Sequence, residues 1–335
     1  MTKKVSKNKV DEAGRSLRKG IGDLEAARDV ARLWRTFHFF PLQAVFKRLQ
    51  NIAKLIQPEA IIAGRQKRME SIEAKLKRGT TRLSDMQDIA GCRMVLRSIL
   101  HVRKTGQQIE PFFGKHSRKD DYIQYPKLDG YRGVHYIHAF KDCYLKCDGA
   151  ITEVQLRTEL QHIWATAVET VDGFTGQNLK GGVGDPEWAR FFAIVSSVFA
   201  LREDSPVVPG TPSAMPDLVR ELLGFHEKIQ LCDAYSAAQH FVSTGIGRGN
   251  QIAGPYFLLT VDLEPTLVAH FKSFTLTDIE TGNLELANIE REIAKGRKTN
   301  AVLVSVDTVA SLREAYPNYF ADMRKFIAEL KTITV

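Results

Sequence analysis

A chain of 335 residues, 44% hydrophobic and 26% charged, has the make-up of a globular protein and the length for two domains. Nowhere do about 18 apolar residues run together, and the opening MTKKVSKNKVDEAG has no apolar core behind its lysines, so neither a membrane span nor a secretory signal is expected. The net charge of +8 is uneven: residues 1–150 hold 31 Lys and Arg against 16 Asp and Glu and the remainder 16 against 23, which points the first half at a polyanion such as nucleotide phosphates or nucleic acid.

Four cysteines, Cys92, Cys143, Cys147 and Cys232, fit a reducing compartment. Cys143 and Cys147 lack C-x-x-C spacing, so structural zinc is not expected and a cytoplasmic protein is.

In chain order, residues 1–20 are polar and read as a flexible N-terminus. From Gly22 to Gln57 the apolar residues recur at helical spacing on either side of Phe40-Pro41, which predicts two helices joined at the proline. The stretch from Gly64 to Gly79, GRQKRMESIEAKLKRG, reads as a helix with Met69, Ile72 and Leu76 on one side and Lys67, Ser71, Lys75 and Arg78 on another. Asp88 sits in a turn before a predicted strand, Cys92 to Arg97, that contains Arg93. A carboxylate beside several cations suits magnesium, which takes few carboxylates and completes its shell with substrate phosphates.

An amphipathic segment from Val102 to Phe113 precedes a basic patch at Lys115, Arg118 and Lys119. Pro126 and Asp129-Gly130 mark a loop, with an alternating strand from Val134 to Phe140 after it. Lys127, Tyr131, Arg132 and His135 there offer a flat ring for stacking and cations for phosphates. The segment Ile151 to Thr158, ITEVQLRT, places Glu153, Gln155 and Arg157 on one face of a strand and Val154 and Leu156 on the other. A helix carrying His162 follows. The glycine run from Lys180 to Gly184 lacks the Lys-Ser/Thr of a P-loop and reads as a surface turn.

In order, R-x-K, S-I-x-x-K-L, D-I-A-G-x-R, D-Y-I-x-x-P-K-x-x-G-Y-x-x-x-H and E-V-Q-L-R-T resemble the synthetase domain of the RelA/SpoT family over about residues 28–204. That family moves pyrophosphate from ATP to a 3′-hydroxyl of GDP or GTP. The resemblance implies an α/β, nucleotidyltransferase-like palm with a mixed sheet flanked by helices. It also implies that Arg65 and Arg93 clamp the ATP adenine, that Lys67 and Lys75 hold its phosphates, and that Asp88 and Glu153 hold magnesium. Glu153 would draw the proton from the attacking hydroxyl, Tyr131 would stack on the acceptor base, and Lys127, His135 and Gln155 would complete the acceptor side. In-line attack of this kind needs no covalent nucleophile, and no nucleophile motif is evident.

Two departures matter. Gly133 stands where the family often has serine, which leaves the acceptor open between a guanine nucleotide and the 3′ CCA end of tRNA. The His-Asp dipeptide of the family's hydrolase half is absent, implying synthesis without hydrolysis. A protein of another class, a non-catalytic RNA binder, is the remaining alternative. Past the pyrophosphokinase domain, 21–204, residues 205–250 read as helix and linker. Residues 251–335 read as a small α+β accessory or regulatory unit with strands at Tyr256–Val261, Phe274–Ile279 and Ala301–Val306 and helices at Leu284–Lys295 and Thr308–Leu330. A regulatory protein acting through that unit and homo-oligomerisation are further expectations.

Overall fold

The computed structural model describes residues 5–113, 117–140, 147–177, 179, 184–238, 243–244, 254–262, 268–306, 309–317 and 322–334. Lys115, residues 180–183 of the glycine run and most of the 239–253 linker lie outside them. The chain is α/β. Its described strands are β1 (Ile61–Gln66), β2 (Ala90–Leu96), β3 (Ser117–Asp121), β4 (Val134–Ala139), β5 (Ile151–Thr158), β6 (Ser243–Thr244), β7 (Tyr256–Asp262), β8 (Val268–Phe274) and β9 (Thr299–Ser305). They form one mixed sheet in the order β3-β4-β5-β2-β1-β9-β7-β8-β6. Strands β2 and β5 run parallel, with Gly91 opposite Glu153 and Arg93 opposite Gln155.

Alternation decides which face of this sheet works. Ala90, Cys92 and Met94 of β2 and Val154 and Leu156 of β5 point into a core shared with helices α3 (Phe39–Ile56) and α5 (Ile99–Phe113), through Leu42, Phe46, Leu49, Val102, Ile109 and Phe113. Their neighbours in sequence therefore face the other way, and Arg65, Arg93, Glu153 and Gln155 line one cleft. On that side helix α4 (Met69–Arg78) follows β1, and α6 (Glu159–Thr175) follows β5. The β5 to α6 junction is held by a capping box: the Thr158 hydroxyl accepts from the Gln161 amide at 3.2 Å and the Gln161 side chain accepts from the Thr158 amide at 3.1 Å.

Several boundaries differ from the sequence reading. Residues 5–20 are not a loose tail: α1 (Lys7–Lys19) is amphipathic and buries Val10, Ala13 and Leu17 against Ile72, Leu76 and Leu83. Asp11 accepts from the Ser84 amide at 3.0 Å. The break between the next two helices, α2 (Leu24–Phe37) and α3, falls at His38, and Pro41 sits in the first turn of α3, where a missing N–H costs nothing. The helix read from Gly64 starts at Met69 because Ile61–Gln66 pairs with β2 along its whole length.

The strand expected at Phe274–Ile279 ends at Phe274, and Ile279 opens α10 (Ile279–Ala294). The single helix expected at Thr308–Leu330 is two, α11 (Val309–Ala315) and α12 (Arg324–Thr334), separated at Pro317. The last third also joins the first: β9 pairs with β1 at Gly64 opposite Ser305 and Arg65 opposite Val304. Met323, Phe326, Ile327 and Leu330 share a core with Trp164 of α6, Phe191 and Phe192 of α7 (Pro186–Arg202), Leu218 and Leu222 of α8 (Met215–Leu223) and Cys232 of α9 (His226–Ala238). Cys92 and Cys232 are buried free thiols, whereas Cys147 is disulfide-bonded, which the reading of four reduced thiols did not foresee.

Candidate active site

Asp88, in the turn before β2, is the hub of the cationic side. Its two carboxylate oxygens accept from Lys67 Nζ at 2.8 Å and Lys75 Nζ at 2.9 Å. Lys67 lies in the link from β1 to α4 and Lys75 two turns into that helix, so the strand-helix junction sets both ammonium groups. Burial would raise the Asp88 carboxyl, but the two lysines pull it down to about 2. Burial holds Lys67 below its ordinary range despite that carboxylate.

Glu153 is the hub of the other side. His135 Nδ1, from β4, lies 2.9 Å from one of its oxygens, and Gln155 Nε2 donates to the other at 2.7 Å. Gln155 Oε1 in turn accepts from Arg157 Nη2 at 2.8 Å. The ring closes through Tyr131, whose hydroxyl lies 2.5 Å from His135 Nε2 and accepts from Arg157 Nε at 3.2 Å. Burial pushes the His135 imidazole down, but the Tyr131 hydroxyl and the Glu153 carboxylate outweigh it and hold the imidazole at about 9. Burial likewise works to raise Tyr131, and Arg157 with His135 brings it to about 8 instead. Glu153 stays below the usual carboxylate range, its burial outweighed by His135 and Gln155. At neutral pH the imidazole is therefore a cation that donates from both nitrogens.

The Tyr131 ring is a platform with cations around it. Lys127 Nζ lies 4.3 Å from the Tyr122 ring centre and 5.2 Å from that of Tyr131, and the Arg157 guanidinium lies 5.0 Å from Tyr131. Gly133 has φ +155°, and a Cβ there would come within 3.2 Å of the Tyr131 hydroxyl and 3.4 Å of Arg157 Cγ. The glycine is thus what lets the loop close under the ring. Arg132 has a different role from its neighbours: it is buried and donates to Glu203 and Ser205, both at 2.6 Å, which anchors the loop to the end of α7.

The two hubs belong to one cleft. Asp88, Lys67, Arg65, Arg93, Glu153 and Gln155 line it together, and the Asp88 charge is felt at Glu153. Of the residues singled out from sequence, Lys75 joins through Asp88, and Tyr131, His135 and Lys127 join through Glu153. Arg93 departs from expectation. It is half-buried, donates to the Ala315 carbonyl at 3.1 Å and has its guanidinium 6.0 Å from the Tyr316 ring centre. Burial and the neighbouring Arg157 lower it to about 10, which Glu169 offsets only in part. Tyr316, almost wholly buried, is itself part of the cleft wall. His162 is neutral, driven to about 3 chiefly by burial, and donates to the Glu314 carbonyl at 3.0 Å. Residues 314–316 are thus tied down across the cleft wall.

Sequence reasoning gave Arg157 no role, although its place in E-x-Q-x-R put it on the working face. Tyr122 was legible only as part of D-Y-I. Tyr316 carried no local signal, because its place in the cleft depends on β9 pairing with β1.

Residues 64–171 match the family model described as the region found in RelA/SpoT proteins. This stretch is of the RelA/SpoT type, which bears out the resemblance read from the motif order. A probable chloroplastic GTP diphosphokinase of Oryza sativa subsp. japonica is 29% identical over 123 residues, which are 35% of this chain and 16% of that protein. Among solved structures, the small alarmone synthetase 1 of Bacillus subtilis bound to its product pppGpp aligns at 23% identity and TM-score 0.41 over 51% of this chain and 92% of that one. A GTP pyrophosphokinase family protein from Streptococcus pneumoniae aligns at 21% identity and TM-score 0.40 over 50% of this chain and 86% of that one.

Proposed function

We propose that this chain is an ATP-dependent pyrophosphokinase that transfers the β,γ-pyrophosphate of ATP to the 3′-hydroxyl of GDP or GTP, releasing AMP. The observation that carries this reading is a single cleft with two ionised carboxylates, one bedded in lysines and the other in a stacking platform. Phosphoryl-type transfer through a loose transition state asks for positioning and charge neutralisation rather than a strong base. A Glu153 held below its normal range suits that demand: it receives the hydroxyl proton while His135 and Gln155 fix its orientation.

The donor set fits magnesium. Among the described residues no group of three or more His, Cys, Asp or Glu could hold a metal, but magnesium asks for only one or two carboxylates once phosphates supply the rest. Asp88 and Glu153 would hold it, and the ion would neutralise charge developing on the phosphate oxygens. Lys67 and Lys75, which share Asp88, would pass to donor phosphates, and Arg65 and Arg93 would stand on the base side. Tyr131 would stack on the acceptor base with Lys127 beside it. An assay with labelled ATP and Asp88→Ala and Glu153→Ala tests the assignment: both variants should lose transfer while remaining folded.

A specific feature favours a second acceptor, the 3′ end of tRNA. Tyr125 and Leu128, in the loop that leads to Tyr131, are 75% and 78% exposed, a contact surface that a free mononucleotide would not need. Label retained in RNA rather than in a guanine nucleotide would select it. A non-catalytic RNA binder would show an effect indifferent to both carboxylate substitutions.

The C-terminal third is read as a restraint on the donor side. Ala315 and Tyr316 cover Arg93, which must be free to meet an adenine. A protein partner acting on this third would release it. Tyr316→Ala should then raise transfer at least several-fold; unchanged or lower transfer would contradict the restraint.

A further inference from the structure

The link between β1 and α4, which carries Lys67, is gripped at four consecutive residues by groups remote in sequence. Gln66 Nε2 donates to the Arg35 carbonyl at 2.6 Å, and the Lys67 carbonyl accepts from Arg35 Nη1 at 3.3 Å. Arg68 Nη1 donates to Asn300 Oδ1 of β9 at 2.9 Å, and the Met69 amide donates to Glu290 Oε1 of α10 at 3.2 Å. Arg68, at the N-cap of α4, makes no side-chain cap bond of its own. Glu290 is buried and bound bidentately by Arg35, at 2.6 and 2.9 Å, with Arg32 Nε at 4.0 Å.

A carboxylate at the first amide of a helix satisfies an orphan donor and opposes the positive end of the helix dipole. Here it is supplied from another element, more than two hundred residues along the chain. We propose that Glu290, locked by Arg35, is a positioning residue for the donor-phosphate cations: it caps α4 from outside and so fixes where Lys67 and Lys75 stand relative to Asp88. The C-terminal third thereby builds the phosphate bed as well as covering its base side. The effect on ATP rests on the pyrophosphokinase reading; the cap itself does not.

The test compares Glu290→Gln with Glu73→Gln in the full chain, with and without Tyr316→Ala. Glu73 also leaves α4 for a salt bridge, to Arg28 at 2.8 Å, but that bond does not reach the β1 to α4 link. Two quantities are read: amide hydrogen exchange over residues 69–74 without nucleotide, and calorimetric affinity for a non-hydrolysable ATP analogue with magnesium. Glu290→Gln should speed exchange in that first turn and weaken the analogue about tenfold, whereas Glu73→Gln should change stability alone. If Glu290→Gln does not fold, Glu290→Asp serves, with a smaller change in the same direction. Exchange unchanged in the Glu290 variant, or affinity unchanged where the parent binds, overturns the proposal. A parent that binds no analogue in either background defeats the pyrophosphokinase reading instead, and the exchange data still judge the cap.

Discussion

His135 keeps a proton despite its burial because Tyr131 and Glu153 bracket it, and that balance has a pH signature. Its folded value of about 9 lies above the ordinary 6.5, so the stability it contributes is complete below about 6.5 and fades as pH rises through about 9. The urea midpoint should fall across that window in the parent chain and fall less in His135→Gln. Asp88 runs the opposite way: depressed from 3.8 to about 2, its contribution is present above 3.8 and is lost as pH falls through about 2. Asp88→Ala should therefore cost, besides activity, about 1–3 kcal/mol of stability at neutral pH, because it leaves Lys67 without the carboxylate that offsets its burial. Chemical denaturation of that variant checks the magnitude. At Gly133 the backbone sits at φ +155° with the Tyr131 hydroxyl 3.2 Å from where a Cβ would be. Gly133→Ser should cost about 1–3 kcal/mol and disturb the Tyr131 platform, read as a lower melting temperature and, on the pyrophosphokinase reading, a raised KM for the acceptor.

At the level of elements, period-two alternation in ITEVQLRT identified β5 to its ends, and helical spacing found α2 and α3. The failures have physical causes. The strand β1 was hidden because Ile61 to Gln66 has no polar-apolar alternation, and its state is decided by the antiparallel partner β2 on one side and β9 on the other. The polar face of α1 dominates its composition and masks a stripe of four residues, Val10, Ala13, Gly14 and Leu17, that is buried. Such a helix contributes to stability, so Leu17→Ala should destabilise the chain by about 2–5 kcal/mol, measured by denaturant titration. A truly loose tail would show no change. The ion pairs at the site were legible only as residue types; their geometry comes from registers, Gly91 on Glu153 and His135 on Gln155, that no single stretch encodes.

Across the whole molecule, the last third was read as a unit of its own, and its strands instead extend the sheet that carries the site. Three of its parts reach the cleft or the link beside it: Tyr316 against Arg93, Asn300 on Arg68 and Glu290 on the Met69 amide. The basic first half and the acidic second half meet along this junction, where Arg35 and Glu290 form a buried pair. The central claim is that one cleft moves pyrophosphate by means of Asp88 and Glu153. The most direct measurement incubates the full chain, with and without Tyr316→Ala, with γ-labelled ATP, magnesium and GDP, GTP or tRNA, and follows both the label and AMP. The account predicts AMP in step with a labelled acceptor, both abolished by Asp88→Ala and by Glu153→Ala; AMP and labelled product that persist in either variant, or no transfer from ATP in any background, would contradict it.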